Sequence, residues 1–373
     1  MVRYIWQQSD WQARLLWDSR AVVGPLSKTR LRQGILLGRA ASLGLELGRE
    51  FQVEALTDEA VTTSAIEGET LNRESVRSSV VRRLGLKTAG IPRAERRADA
   101  LVEMLLDATT RFNEPLTQAR LKAWQAALFP TGYSGMRTVK TADWRKTSAP
   151  MQVVSGPIGR ESVHFEAPPS AQISIEVRRF LDWWTASIGV EDGLVRAGVA
   201  HMRFVTIHPF EDGNGRVGRT ITDMALAQDE RTPFRLYSWS RQVEADREAY
   251  YDALEATQKG DGDLTSWLVW FLESVERAIM HAETDFEKVF ARARFWDRHG
   301  AKVLTERQIK AVNRLLEAGP GAFEGGLTTK KYVHLTRASP ATAKREIADL
   351  CVKGLLVQIE GTQGRNTSYE LKW

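Results

Sequence analysis

The stretch "IHPFEDGNGRVGR", Ile207 to Arg219, sets three glycines, one histidine, two carboxylates and two arginines within thirteen residues. Such a run cannot pack a core. It reads as a surface turn, a metal loop or a cradle for phosphate. The apolar residues before it predict a helix over Leu194–Ile207, with His208 at its exit. Gly213, Asn214 and Gly215 then turn the chain, and a second helix is expected from about Arg216. Glycines let backbone N–H groups converge without Cβ clashes. A helix start adds unpaired N–H groups and the positive end of a dipole, which together favour an anion. Arg216 and Arg219 are three apart, hence on one helix face, where the dipole disfavours cations unless an anion sits there. A polyphosphate resolves that conflict. Asp212 lies beside the loop, and a Mg²⁺ carried by phosphates needs only one or two carboxylates. His208, with an ordinary pKa of about 6.5, is the general-base candidate. Phe210 reads as a buried anchor for the loop. No Lys-Ser/Thr pair follows the glycines, so the run is not a P-loop.

The rest of the chain bounds this reading. Its 373 residues allow two or three domains, and 43% hydrophobic with 27% charged residues is ordinary for a soluble globular protein. A single cysteine, Cys351, excludes a disulfide framework and a Cys-rich zinc site and fits a reducing cytoplasm. The N-terminus lacks the basic-then-apolar pattern of a secretory signal, and no apolar run is long enough to span a membrane. A cytoplasmic protein with no membrane contact is therefore expected. The other histidines show no metal-ligand spacing. Net charge is +5, and residues 301–373 alone hold 12 Lys+Arg against 7 Asp+Glu, a difference of +5. The tail thus carries the whole excess.

Periodicity predicts a mainly α protein. The first hundred residues read as helices, with Trp6, Trp11 and Trp17 as packing anchors of an N-terminal extension. "DEAVTTSAIEGE" predicts a short helix over about 57–68, with Thr57 as N-cap and Gly68 as C-cap. Glu67 then falls in the last turn, where the dipole disfavours a carboxylate. Glu69 follows it, with no basic residue close in sequence until Arg73, so this local conflict asks for a partner elsewhere. Helices follow around Arg96–Phe112 and Leu116–Ala127, then irregular chain. Met151–Val154 and Ser162–Phe165 read as a β-hairpin around a Gly-Pro-Ile-Gly turn. A lone hairpin is marginal, so it must lie against the helical body. Further helices are expected at Ile173–Ala186, Leu194–Ile207, Arg216–Leu226, Arg241–Thr257 and Leu264–His281, with a helical connector to about His299. In the tail, "TERQIKAVNRLLEAG", "TTKKYVHL" and "SPATAKREIADLCVKG" predict three helices, the last with Ser339 as N-cap and Pro340 at its first position. A hairpin follows. That is the order of a winged helix-turn-helix, with Lys344 and Arg345 on its recognition helix and Arg365 at the wing tip.

"HPFEDGNGR" followed by "VGR" resembles the signature of Fic-domain proteins, His-x-Phe-x-(Asp/Glu)-Gly-Asn-Gly-Arg-x-x-Arg, at every signature position. The resemblance covers about Leu116 to Leu272. It implies an all-helical Fic core with a β-hairpin flap, and transfer of AMP from ATP to a hydroxyl of a protein side chain. The implied roles are His208 as base, Asp212 as the Mg²⁺ ligand, and Gly213, Asn214 and Gly215 as the cradle of the α- and β-phosphates. Arg216 would support the phosphates and Arg219 would receive the γ-phosphate. The flap, with Met151, Gln152, Val153 and Val154, would align the target by strand addition. "TSAIEG", Thr63 to Gly68, resembles the family's inhibitory motif (Ser/Thr)-x-x-x-Glu-(Gly/Asn). By that resemblance Glu67 pairs with Arg219 and blocks the γ-phosphate position, in the N-terminally inhibited class. Tyr250 and Tyr251 lie where the family often has aromatic residues near adenine, although they suit core packing as well.

The implied organisation is an N-terminal extension over 1–110, a Fic catalytic core over 111–275, a connector over 276–303 and a winged helix-turn-helix over 304–373. The expected substrates are ATP, with Mg²⁺, and a protein bearing a hydroxyl side chain, with self-modification as one outcome. The tail is a candidate contact for DNA, a protein or a second copy of the chain. The competing class is a DNA-binding transcriptional regulator whose Fic site senses nucleotide or modifies itself. Within the enzyme class, removal of AMP from modified protein and transfer of another phosphate-containing group stay open.

Overall fold

The helix expected over Leu194–Ile207 is present, and all of those residues are buried. A helix buried on every side belongs inside a bundle rather than on its surface. In this computed structural model residues 4–41, 45–86, 95–155, 162–300, 303–318, 323, 325–364 and 367–372 are described. They form two compact units, Met1–Ala282 and Glu283–Trp373.

The first unit begins with α1 (Ser19–Ala41), α2 (Leu45–Ile66), α3 (Arg73–Arg83), α4 (Arg96–Thr110) and α5 (Gln118–Leu128). A small hairpin, β1 (Tyr133–Ser134) with β2 (Arg137–Thr138), lies in the segment expected to be irregular. Two residues per strand are too few for a period to be seen in sequence. The flap follows as β3 (Gln152–Ser155) and β4 (Ser162–Glu166), antiparallel, with a register shift between Val153 and Val154. Met151 precedes the strand, and its carbonyl accepts Ala167 N–H at 2.8 Å. The hairpin's turn lies outside the described residues.

Next come α6 (Ile173–Ala186), α7 (Gly193–Ile207), α8 (Asn214–Glu230), α9 (Trp239–Ala245), α10 (Arg247–Gln258) and α11 (Thr265–His299). Asp192 caps α7 by accepting the N–H groups of Leu194 and Val195. The helix anticipated over Arg241–Thr257 is split at Asp246, whose carboxylate is held by Gln242 and Arg277. The anticipated helix at 264–281 and the connector are one continuous helix, because no glycine or proline interrupts 265–299.

The N-terminal extension belongs to the same unit as the helical core. Trp6 Nε1 donates to Glu166 O at 2.6 Å, and Tyr4 packs edge-on against Phe165 with centroids 5.3 Å apart. Trp11 is buried and donates to Glu176 Oε2 at 2.8 Å. The base of the flap therefore rests on the first residues of the chain. His164, on β4, meets Glu255 of α10 at 2.6 Å.

The short helix expected over 57–68 is corrected. It is the last part of α2, and Thr57 is not a cap: it is buried and its hydroxyl donates to Val53 O at 2.6 Å. The turn preference of threonine is overridden by packing and by a bond back along the helix. Glu59, also buried, accepts from Ser238 Oγ at 2.7 Å and from Ser240 N–H at 3.1 Å. This seats α2 on the start of α9.

The second unit contains α12 (Glu306–Ala318), α13 (Thr329–Thr336), α14 (Pro340–Val352) and the antiparallel pair β5 (Leu356–Gln358) and β6 (Tyr369–Leu371). Leu327 adds a bridge to Tyr369. Ser339 accepts Thr342 N–H with Pro340 inside the first turn, as expected. Its core joins Val312, Leu315 and Leu316 of α12 to Tyr332, Ala343, Ile347, Leu350 and Leu371. Arg365 lies outside the described residues. Among the described residues no helix is long and apolar enough to cross a membrane.

Candidate active site

The loop between α7 and α8 is built by its own residues. His208 ends α7 in the left-handed conformation (φ 48°, ψ 59°), which turns the chain away from the helix. Gly213 turns it back at φ +87°, where a Cβ would stand 2.9 Å from a Leu128 methyl. Phe210 is fully buried. Asn214 does not present its amide to the loop's mouth. Its Oδ1 accepts Phe210 N–H at 2.9 Å and its Nδ2 donates to Phe210 O at 2.8 Å. The side chain staples the loop, so only its backbone is left for a ligand.

His208 is half-buried. Its Nδ1 lies 3.2 Å from Val205 O, which can only accept, so the proton sits on Nδ1 and Nε2 keeps its lone pair. Burial pushes the imidazole down to about 4, against a small opposing effect of the Val205 carbonyl and of Glu67 and Asp212, and with Arg145 adding to the fall. It is neutral at physiological pH, as a base must be.

Arg145 was not foreseen. It is 1% exposed, its Nε donates to His208 O at 2.8 Å, its N–H donates to Pro209 O at 2.9 Å, and its guanidinium reaches Pro168 O at the foot of the flap. It ties the histidine loop to the hairpin. It stands in "TADWRKTSAP", which has no period and no motif, so nothing in sequence marks it.

Arg219 is also 1% exposed. Its Nε donates to Thr63 Oγ1 at 2.7 Å, and its NH2 donates to Thr63 O at 2.9 Å and to Glu67 Oε1 at 2.7 Å. The arginine and the glutamate are 152 residues apart in sequence. Gly68 (φ +77°) and Glu69 close α2 by donating N–H groups to Ala65 O and Ser64 O. That closure sets Glu67 at the start of α8. A Cβ on Gly215 would collide with Glu67 Oε1, so the carboxylate lies against the backbone where a helix start attracts an anion. Burial raises the Glu67 carboxyl, but Arg219 outweighs it, with Arg216 and His208 adding, and the net shift is downward.

Arg216 has its own glutamate. Its NH1 donates to Glu69 Oε2 at 3.0 Å, while its guanidinium lies 5.1 Å over the Phe129 ring. Sequence spacing gave Glu69 no basic neighbour, because the neighbour is 147 residues away. Both arginines of the motif are thus occupied by carboxylates of a single turn.

Asp212 is half-buried; its Oδ1 accepts Gly213 N–H at 2.6 Å and lies 3.8 Å from Arg216 NH2. Among the described residues no group of three His, Cys, Asp or Glu converges for a metal. One hard carboxylate suits a cation that takes its remaining ligands from phosphate and water. Tyr250 lies in the core at 2% exposure, its hydroxyl 2.8 Å from His201 Nε2. Tyr251 is 36% exposed, with Arg247 5.9 Å from its ring. Burial raises its hydroxyl pKa, and the Glu67 charge adds to that.

These elements match known proteins in part. Residues 115–226 match the model of the Fic/DOC family. Over this segment the chain is similar to the Fic/DOC family. The match stops within α8, short of the end suggested by the signature. Residues 4–86 match a second model, described as a domain of unknown function (DUF4172). The chain is similar to the protein adenylyltransferase Fic of Culex quinquefasciatus, 34% identical over 95 residues, which is 25% of this chain and 18% of that protein. It is similar to the probable protein adenylyltransferase aq_aa38 of Aquifex aeolicus, 28% identical over 95 residues, 26% of this chain and 29% of that protein. The matched stretch spans less than a third of either relative. In fold, the chain resembles a Fic family protein from Desulfovibrio desulfuricans G20, with TM-score 0.55 and 18% identity over 96% of this chain and 97% of that one. The mainly helical architecture is that of the Fic fold, and kinship with named adenylyltransferases supports AMP transfer at the level of the family.

Proposed function

We propose that the chain transfers AMP from ATP to a side-chain hydroxyl of a protein, and that Glu67 holds this activity off. The carrying observation is Glu67 Oε1 lying against Gly215 while bonded to Arg219 at 2.7 Å. A carboxylate in that place supports the reading that the place is made for phosphate oxygens.

In the proposed reaction His208 Nε2 takes the proton of the target hydroxyl. The hydroxyl oxygen attacks the α-phosphorus, the bond from that phosphorus to the bridging oxygen breaks, and pyrophosphate leaves. Asp212 would hold Mg²⁺, which supplies neutralisation of the phosphate charge. Amides at the start of α8, with Arg216 and Arg219, receive the phosphates once the two glutamates withdraw. Positioning and fixed charge then supply most of the rate. The outer edge of β3 offers N–H and C=O groups to an extended target segment, and Arg145 keeps that edge in fixed relation to His208.

ATP labelled at the α-phosphate, incubated with the Glu67→Gly chain and Mg²⁺, should leave label on protein, and ATP labelled at the γ-phosphate should not. Label from the γ-position alone would replace AMP transfer with phosphate transfer.

A further inference from the structure

Arg219 bonds to Thr63 Oγ1, Thr63 O and Glu67 Oε1, all at the end of α2. These acceptors belong to the restraining element rather than to the helical core. An acceptor supplied by the core would keep the guanidinium in place when Glu67 withdraws. Behind Arg219 lie three buried polar side chains that the proposed reaction does not use. They are Thr222 of α8, His201 of α7 and Tyr250 of α10, at 0%, 0% and 2% exposure.

The sense of the hydrogen bonds through them follows from what each group can give. Thr222 Oγ1 donates its one hydrogen to Gly218 O at 3.0 Å. Towards His201 Nδ1, 3.0 Å away, it can then only accept. Burial pushes the His201 imidazole down to about 3, with the Arg219 charge adding to the fall, so the ring is neutral. A neutral ring with its hydrogen on Nδ1 keeps a lone pair on Nε2. That lone pair takes the hydrogen of the Tyr250 hydroxyl at 2.8 Å. The Tyr250 oxygen, its hydrogen given away, is left with acceptor capacity alone. The indoles of Trp239 and Trp267 lie against the imidazole, with ring centroids 4.9 Å and 5.7 Å away. In such apolar surroundings each bond of the relay is stronger than in water.

The relay ends at Arg219. A Cβ on Gly218 would stand 3.5 Å from His201 Cε1, so the ring packs on the backbone just before the arginine. Burial raises the Tyr250 hydroxyl, and the Arg219 guanidinium opposes that rise by its charge and by hydrogen bonding. Resting on the reading above that Arg219 receives the third phosphate of ATP, we propose that Tyr250, oriented by His201 and Thr222, is the positioning residue that aims Arg219 at that phosphate. Tyr250 touches no reacting atom; it acts through the arginine and so sets a preference for a nucleoside triphosphate over a diphosphate. Phenylalanine in its place would keep the ring contacts with Tyr251, Trp267 and Trp270 and lose only the acceptor.

Calorimetric titration of the full chain with Mg-ATP and with Mg-ADP tests this. Glu67→Gly is compared with Glu67→Gly plus Tyr250→Phe, both carrying His208→Ala so that ATP is not consumed. Glu67→Gly should bind ATP more tightly than ADP. Tyr250→Phe should cut that preference about tenfold, the effect of one hydrogen bond to a charged group. The loss should fall on ATP alone, with ADP affinity and the circular dichroism spectrum unchanged. With His208 restored, the same change should raise KM for ATP and leave kcat within about twofold. No ATP preference in Glu67→Gly would overturn the reading of Arg219, and this inference with it. A preference that survives Tyr250→Phe would overturn the positioning role alone. Equal weakening of ATP and ADP would make Tyr250 a packing residue and overturn that role as well.

Discussion

The two units hold their cations in opposite ways. In the first, Arg219 and Arg216 are buried at 1% and 3% exposure and each meets a glutamate of the α2 terminus. In the second, Arg337, Lys344 and Arg345 are exposed, and among the described residues none of them meets an acid. A buried guanidinium cannot be left without a partner, and here the partners include carboxylates of the same chain. Exposed cations are solvated by water and need no such substitute. The first arrangement fills the space beside the arginines with carboxylates of the same chain; the second leaves its cations to water.

The largest effect expected is at His208. On the Glu67→Gly background, His208→Ala should lower AMP transfer by about 10²–10⁴-fold without altering the unfolding midpoint. Retained transfer would remove its role as base. Next is Glu67 itself. Removing it leaves Arg219 without its carboxylate, so Glu67→Gly should release activity by about 5–150-fold. The same change should cost about 1–3 kcal/mol in thermal or urea unfolding. A variant as stable as the parent would mean that the contact contributes nothing. The contrast within the pair of arginines is smaller. Glu69 meets Arg216 at 3.0 Å, against 2.7 Å for Glu67 with Arg219, so Glu69→Ala added to Glu67→Gly should raise transfer only up to about fivefold, and less at high salt. An effect equal to that of Glu67 would make the two glutamates equivalent gates.

Titration gives a finer test. The folded His208 imidazole has its pKa pushed down by burial, so it stays neutral as pH falls and takes a proton only at about pH 4. Glu67 nearby raises that value, so it should move lower still in Glu67→Gly. Proton resonances of the ring, identified by their loss in His208→Ala, should be flat from pH 8 to 5. A midpoint at about 6.5 would mean an exposed and unperturbed imidazole. The Glu67 carboxyl is held below its ordinary value, so its contact with Arg219 is complete at neutral pH. The stability it adds is lost only in acid, as pH falls through that lowered value.

Much of this was legible from residue order alone. Helix α6 runs over Ile173–Ala186 as the period predicts, α7 ends at Ile207, and Gly213 turns where the motif requires. Glu67 stood out as a carboxylate at the wrong end of a helix, and the misfit was answered by Arg219. What was not legible depends on distance or on packing. Glu69 has no local partner in sequence and finds Arg216 only through the fold. Thr57 has the chemistry of a cap but lies inside α2, because burial against its neighbours extends the helix through it. Asn214 carries the right amide for phosphate yet closes its own loop. Arg145 has no pattern to announce it at all.

The central claim is that Glu67 stands in the place of nucleotide phosphate and restrains AMP transfer. Intact-mass spectrometry of the chain after incubation with Mg-ATP, wild type beside Glu67→Gly, tests it most directly. The account predicts a gain of whole AMP groups in Glu67→Gly, little in wild type, and none when His208→Ala is added. An equal gain in wild type and Glu67→Gly would contradict it.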